Sequence, residues 1–157
     1  MNILQGNIKE ITTENEISLV KIDADGQIFT SIVIDIPDGT NYLKIGHPVR
    51  LLFKETEVII ARTSPLAISV QNRIECVIRE ITIGRLLCNL TLDILDNRHS
   101  SGDGSLQGDR HSPGDPFPPA QIQSIITRNA CDQLSLQTGD KVTALIKTNE
   151  VSLSPHD

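Results

Sequence analysis

The sequence predicts an all-β protein: two tandem five-stranded barrels, of the oligonucleotide/oligosaccharide-binding type in outline, each with one short helical turn. Three observations carry that reading. The chain repeats itself: residues 34–58 run in register with residues 127–151 at an offset of 93, matching Leu43 with Leu136, Gly46 with Gly139, Val49 with Val142, Leu52 with Leu145 and Lys54 with Lys147. Earlier in each copy the offset is 70, as in Asn2/Asn72, Ile8/Ile78 and Ile11/Ile81, so copy two carries an insertion of 23 residues. A repeat of about 60 residues is one supersecondary unit used twice. Both copies also read as short, apolar-alternating runs separated by turn signals, the pattern of a small barrel. Finally, aromatics make up only 3% of the 157 residues and Trp is absent, so the core is expected to be aliphatic.

Copy one, residues 1–62, opens with a strand over 2–11 that turns Leu4, Ile8 and Ile11 toward the core. A second run covers 17–23, and Asp25-Gly26 after it is a strong hairpin signal. The return strand, 28–34, has five β-branched residues among seven, which suits a pleated surface. Pro37-Asp38-Gly39 breaks it, and residues 40–43 are expected to form one helical turn before Gly46. Strands at 49–53 and 58–61, hinged at Lys54-Glu55-Thr56, complete the unit. Thr63-Ser64-Pro65 is a short linker. Copy two, residues 68–154, repeats the plan with strands at 74–81, 86–95 and 120–127. After the turn signal Thr138-Gly139-Asp140 its last long strand directs Val142, Ala144 and Ile146 inward and Lys141, Thr143 and Lys147 outward. Where copy one has its tight hairpin, copy two has residues 97–119, of which 15 are Ser, Gly, Asp or Pro. Such a segment buries too little apolar surface to offset its ordering entropy and is expected to be a mobile loop.

Several function classes are disfavoured at this level. A net charge of −6 and scarce aromatics argue against a nucleic-acid-binding barrel, which needs a basic footprint and stacking platforms. No run approaches the length of a membrane span and no signal-peptide pattern opens the chain, so a cytoplasmic protein is expected. Cys76, Cys88 and Cys131 show no C-x-x-C spacing and are expected to be packed free thiols rather than a disulfide framework or zinc site. His99 and His111, near Asp103, Asp109 and Asp115, match no metal-ligand pattern, and no metal site is assigned. No nucleophile elbow, phosphate-binding loop or paired catalytic carboxylates occur, so an enzyme is not expected.

What stands out is a set of short donors at element ends in copy two: Ser69, Thr127 and Lys147, with backbone N–H groups after Thr127 and at Thr148. Hydroxyls, amides and an ammonium suit a small tetrahedral oxyanion, whose oxygens accept several hydrogen bonds.

The motifs around these residues resemble a known family. S69-V-Q-N72 before a strand is similar to the S-A-R-N opening of the molbindin (Mop) domains, molybdate-binding members of the transport-associated barrel (TOBE) domains. I126-T-R-N-A130 with L136-Q-T-G139, and A144-L-I-K-T-N-E-V151, resemble two later segments of that family in the same order. Copy one matches less well, through V33-I, L43-K-I-G46 and L52-F-K-E-T-E-V58. The resemblance implies oligonucleotide-binding-like barrels, a homo-oligomer (trimer or dimer), and molybdate or tungstate bound between domains. Its site residues in this chain are Ser69, Gln71 and Lys147 with Thr148 from one domain, and Thr127 with Ala130 from the partner. Departures are clear: Gln71 stands where the family has Arg, Ile34 where it has Thr, and Pro37 where it has a small residue. Copy one therefore reads as structural and copy two as the binder. The leading expectation is an oxyanion-binding protein for molybdenum storage or homeostasis. The alternative is a regulatory or interaction module, resembling the C-terminal domains of molybdate-transport ATPases or molybdate-responsive regulators, that acts on a separate transport or regulatory protein.

Overall fold

The computed structural model describes residues 1–34, 42–63, 67–95 and 119–156. The expected loop at 97–119 lies outside the described residues except for its last position, as do Pro37 and the start of the turn expected at 40–43; Tyr42 and Leu43 are not helical.

Copy one supplies β1 (Asn2–Glu14), β2 (Ile17–Ala24), β3 (Gln27–Ile34), β4 (Pro48–Phe53), a 3-10 turn (Glu55–Glu57) and β5 (Ile59–Ala61). Copy two supplies β6 (Asn72–Ile83), β7 (Leu87–Ile94), β8 (Gln121–Thr127), helix α1 (Arg128–Leu134), β9 (Lys141–Ile146), a second 3-10 turn (Thr148–Glu150) and β10 (Ser152–Pro155). The β2–β3 hairpin turns at Asp25 (φ 55°) and Gly26 (φ 85°); two positive φ values match the twist of the flanking strands, which is why Asp-Gly sits there.

The repeat extends to details of the backbone. β1 shifts register between Ile8 and Glu10 against β2, and β6 does the same between Ile78 and Glu80 against β7. Each bulged strand is capped by a glycine turn from the same copy: Gly46 (φ 89°) donates to the Ile8 carbonyl and Gly139 (φ 95°) to that of Ile78, both at 2.7 Å. The bulges bend the long strands so that each sheet can curl.

Each copy lends its last strand to the other. One sheet runs β10-β4-β1-β2-β3 and the second β5-β9-β6-β7-β8. After its 3-10 turn copy one crosses over, and Ile59–Ala61 pairs with Thr143–Leu145; copy two crosses back, and Ser152–Pro155 pairs with Val49–Leu52. Arg62, just past β5, fastens the exchanged strand by donating to the Leu134 and Ser135 carbonyls and to Asp140.

The copies also clasp each other about an approximate two-fold relation. The Asn72 side chain accepts from the Thr30 N–H (2.6 Å) and donates to the Thr30 carbonyl (2.9 Å). Asn2 brackets Gln123 in the same way at 2.7 and 2.9 Å. Ser31 Oγ donates to the Val151 carbonyl, and Ser124 Oγ to that of Val58. The amide of Gln27 adds three bonds to Glu75 and Leu95, without a counterpart at Ala120. Buried apolar residues of both copies form one cluster, so neither small unit has to be stable alone. That core is aliphatic apart from Phe29 and Phe53, whose rings lie 6.1 Å apart.

One inward/outward expectation is corrected. Thr143 is buried, not outward in water. Its row on the sheet has neighbours on both sides, Glu75 of β6 and Ala61 of the exchanged β5, and Thr143 Oγ1 donates to Glu75.

Candidate oxyanion site

Gln71 and Ser69 immediately precede β6. Asn72 turns inward to Thr30, so alternation directs Gln71 to the outside, and both Ser69 and Gln71 are exposed. Arg73 holds the segment in place, its Nε donating to the Val70 carbonyl (2.9 Å) and Nη2 to that of Ile68 (2.6 Å). The register Asn72↔Ile146 sets Gln71 opposite Lys147, which caps the second 3-10 turn with Thr148 as its first residue. Gln71, with Ser69 two residues before it, therefore lies at the same end of the β6–β9 pair as Lys147 and Thr148, a corner of copy two.

That corner faces copy one. Ser69 and Gln71 form one wall of a groove of about 860 Å³ whose other wall is the outer surface of β1–β3, with Lys21 and Thr30. The Lys147–Val151 turn packs on β3, the strand that ends in Ile34.

Thr127 lies elsewhere. It ends β8, paired with Leu87, in a separate groove with Arg85, Leu86 and Arg128. It is the N-cap of α1, and its Oγ1 accepts the Ala130 N–H at 3.0 Å. The Ala130 amide is thus engaged by Thr127 itself, and the Arg128 amide by the Leu86 carbonyl at 2.8 Å; the Thr127 hydroxyl proton is one donor left to offer. β8 packs against the first 3-10 turn, after Lys54, whereas the turn after Lys147 packs against β3. Within one chain Thr127 and Ala130 do not join the other four.

One carboxyl borders the Lys147 corner. Glu150 is held above the ordinary carboxylate range, first by burial and then by the neighbouring Glu57 carboxyl, while Lys147 pulls it the other way. All three cysteines are free and buried, and burial pushes the Cys76 thiol up. Among the described residues no three His, Cys, Asp or Glu side chains gather as they would around a metal ion, and no helix is long and apolar enough to cross a membrane. His99 and His111 lie outside the described residues.

Sequence reading missed Lys21, Thr30 and Arg73. For Arg73 the adjacency to S69-V-Q-N72 was a signal. Lys21 and Thr30 reach the groove only because the copies face each other.

Two curled sheets in tandem, each finished by the other's last strand, define the class by fold: a double barrel of the oligonucleotide-binding-like kind. Residues 117–153 match the model of the TOBE domain family, a stretch that contains Thr127, Ala130, Lys147 and Thr148. The whole chain is similar to a crystal structure of the cytoplasmic molybdate-binding protein ModG with molybdate bound, at TM-score 0.78 and 20% identity, covering 99% of this chain and 96% of that one. Among curated proteins none matches the sequence.

Proposed function

We propose that this protein binds a small tetrahedral oxyanion, molybdate or tungstate, without catalysis, in the storage or homeostasis of molybdenum. The observation that carries the reading is the corner where Ser69, Gln71, Lys147 and Thr148 lie. They bring a hydroxyl, an amide, an ammonium and a turn backbone to the same end of the β6–β9 pair, in a fold aligned along its whole length with a molybdate-binding protein. These donors fit oxygens that accept hydrogen bonds from all sides.

The corner lacks Thr127, and we assign that residue, with Ala130, to another copy of the chain. Ile34 ends the strand nearest the Lys147 turn, so an oxyanion held by one chain alone would meet an apolar side chain where a donor is required; a missing partner costs about 1–3 kcal/mol. Exposed Leu86 and Leu87 line the groove that holds Thr127, apolar cover suited to a contact between chains. The working form is then a homo-oligomer, a trimer or dimer.

Calorimetric titration with molybdate, tungstate, sulfate and phosphate tests the ligand. Thr127→Val and Lys147→Ala should each abolish tight binding, and Lys54→Ala should leave it intact. Co-refolding an equal mixture of the two defective chains should restore a fraction of the sites, because intact Thr127 and intact Lys147 then meet across chains. The reading fails if none of the anions binds, or if Lys54→Ala alone removes binding.

A further inference from the structure

The corner carries one ammonium, that of Lys147, and position 71 beside it is an uncharged glutamine. A dianion facing an amide, two hydroxyl-bearing residues and one ammonium remains under-compensated, and charge-assisted hydrogen bonds are the strong ones. The opposite wall of the groove supplies a cation. Asn72, next to Gln71, grips the backbone of Thr30 on both sides. Thr30 is paired with Lys21 across β2 and β3, and both side chains line the groove with Ser69 and Gln71. The Asn72–Thr30 bonds thus tie the segment that carries Ser69 and Gln71 to the strand pair that carries Lys21.

We propose that Lys21, from copy one, is a second cation of the oxyanion site, so that the site spans both copies of a single chain. This rests on the oxyanion reading above. Lys21 is free to serve because its present partner is weak: its Nζ lies 4.0 Å from Glu10 Oε2, with side chains 49% and 59% exposed. Pairs that exposed and that long contribute little, so an incoming anion can draw the ammonium away. Arg73, also in the groove, has a different part, since its guanidinium is committed to the Ile68 and Val70 carbonyls. It positions Ser69. Glu10 lines the same groove and opposes an anion there, both by repulsion and by competing for Lys21.

Opposite signs at two neighbouring residues make the proposal testable. Molybdate is titrated calorimetrically into the full-length chain and its Lys21→Met, Lys21→Arg and Glu10→Gln variants, with melting curves to confirm folding. Lys21→Met should weaken binding by about tenfold, the size of one charge-assisted contact. Lys21→Arg should stay within a few-fold of the parent, and Glu10→Gln should tighten binding a few-fold. The difference between parent and Lys21→Met should shrink as salt is raised, because the groove is open to screening. If the parent binds and Lys21→Met binds equally well, Lys21 is not in the site while the oxyanion reading stands. Weaker binding by Glu10→Gln would likewise exclude Lys21 from the site. If the parent takes up no oxyanion, both readings fall together.

Discussion

Replacing Asn72 by alanine should cost more stability than any other single change at the junction of the copies. Asn72 is fully buried, and its amide satisfies both backbone groups of Thr30, at 2.6 and 2.9 Å. Thr30 is itself 6% exposed, so after Asn72→Ala its N–H and C=O face a cavity rather than solvent. Each unsatisfied buried group costs about 1–3 kcal/mol, and the pair together about 2–6 kcal/mol. For a chain of this length each kcal/mol lowers the melting temperature by about 2–4 °C, so a loss near the lower middle of that range, about 3 kcal/mol, means about 6–12 °C. Asn2→Ala provides an internal control. It removes the equivalent pair of bonds, to Gln123, but Gln123 is half-exposed and water can replace part of what is lost. Thermal unfolding followed by circular dichroism compares the two. A melting temperature for Asn72→Ala within about 2 °C of the parent, or greater damage from Asn2→Ala, would refute this reasoning.

Two further outcomes are expected. Arg62→Ala should release the exchanged strand locally, because Arg62 ties the end of β5 to Leu134, Ser135 and Asp140; half-exposed as it is, the global loss should stay near 1 kcal/mol, while the amides of Ile60 and Ala61 exchange with deuterium much faster than in the parent, and unchanged exchange there would contradict the clamp. Glu150→Gln should raise the melting temperature at pH 7 but not at pH 4. A carboxyl held above its ordinary value of 4.5 favours the folded state while protonated, and that contribution is lost as pH rises through the raised value. A Glu150→Gln variant less stable than the parent at pH 7 would count against a raised Glu150.

Most of the fold was legible because the repeat is written in residue types. Gly46 and Gly139 need positive φ, Asp25-Gly26 needs two positive φ values in a row, and the long first strands carry matching apolar positions in both copies. The exchange of β5 and β10 was not legible, for a physical reason. β4 and β9 are copies of each other, so a short final strand such as Ile59–Ala61 meets an equivalent edge whether it pairs at home or across. What decides between the two is the path of the chain after Lys54 and Lys147 and the fit of Ser31 and Ser124 against the crossing turns. Hydrophobic alternation reports neither. Thr143 was misjudged for the same reason, since alternation along β9 cannot report that a strand from the other copy covers its outer row.

The site divides along the same line. Ser69, Gln71 and Lys147 lie at the same end of the antiparallel β6–β9 pair in copy two, and a repeat with strands in known order is enough to infer it. Lys21 and Thr30 come from a different copy, and no periodicity links residue 21 to residue 71; only the asparagine clasp does. The clasp also fixes what each lysine turn can see. Once copy one and copy two face each other, the turn after Lys147 meets the strand ending in Ile34, and the turn after Lys54 meets the strand ending in Thr127. The chain thus holds the better-equipped lysine corner and the only threonine of this position on opposite sides of its own junction. Mutation of Ile34 to threonine would be the shortest route to a complete site within one chain. If the Lys147 corner is the oxyanion site proposed above, the isoleucine kept there makes it depend on what a second chain and Lys21 bring to it.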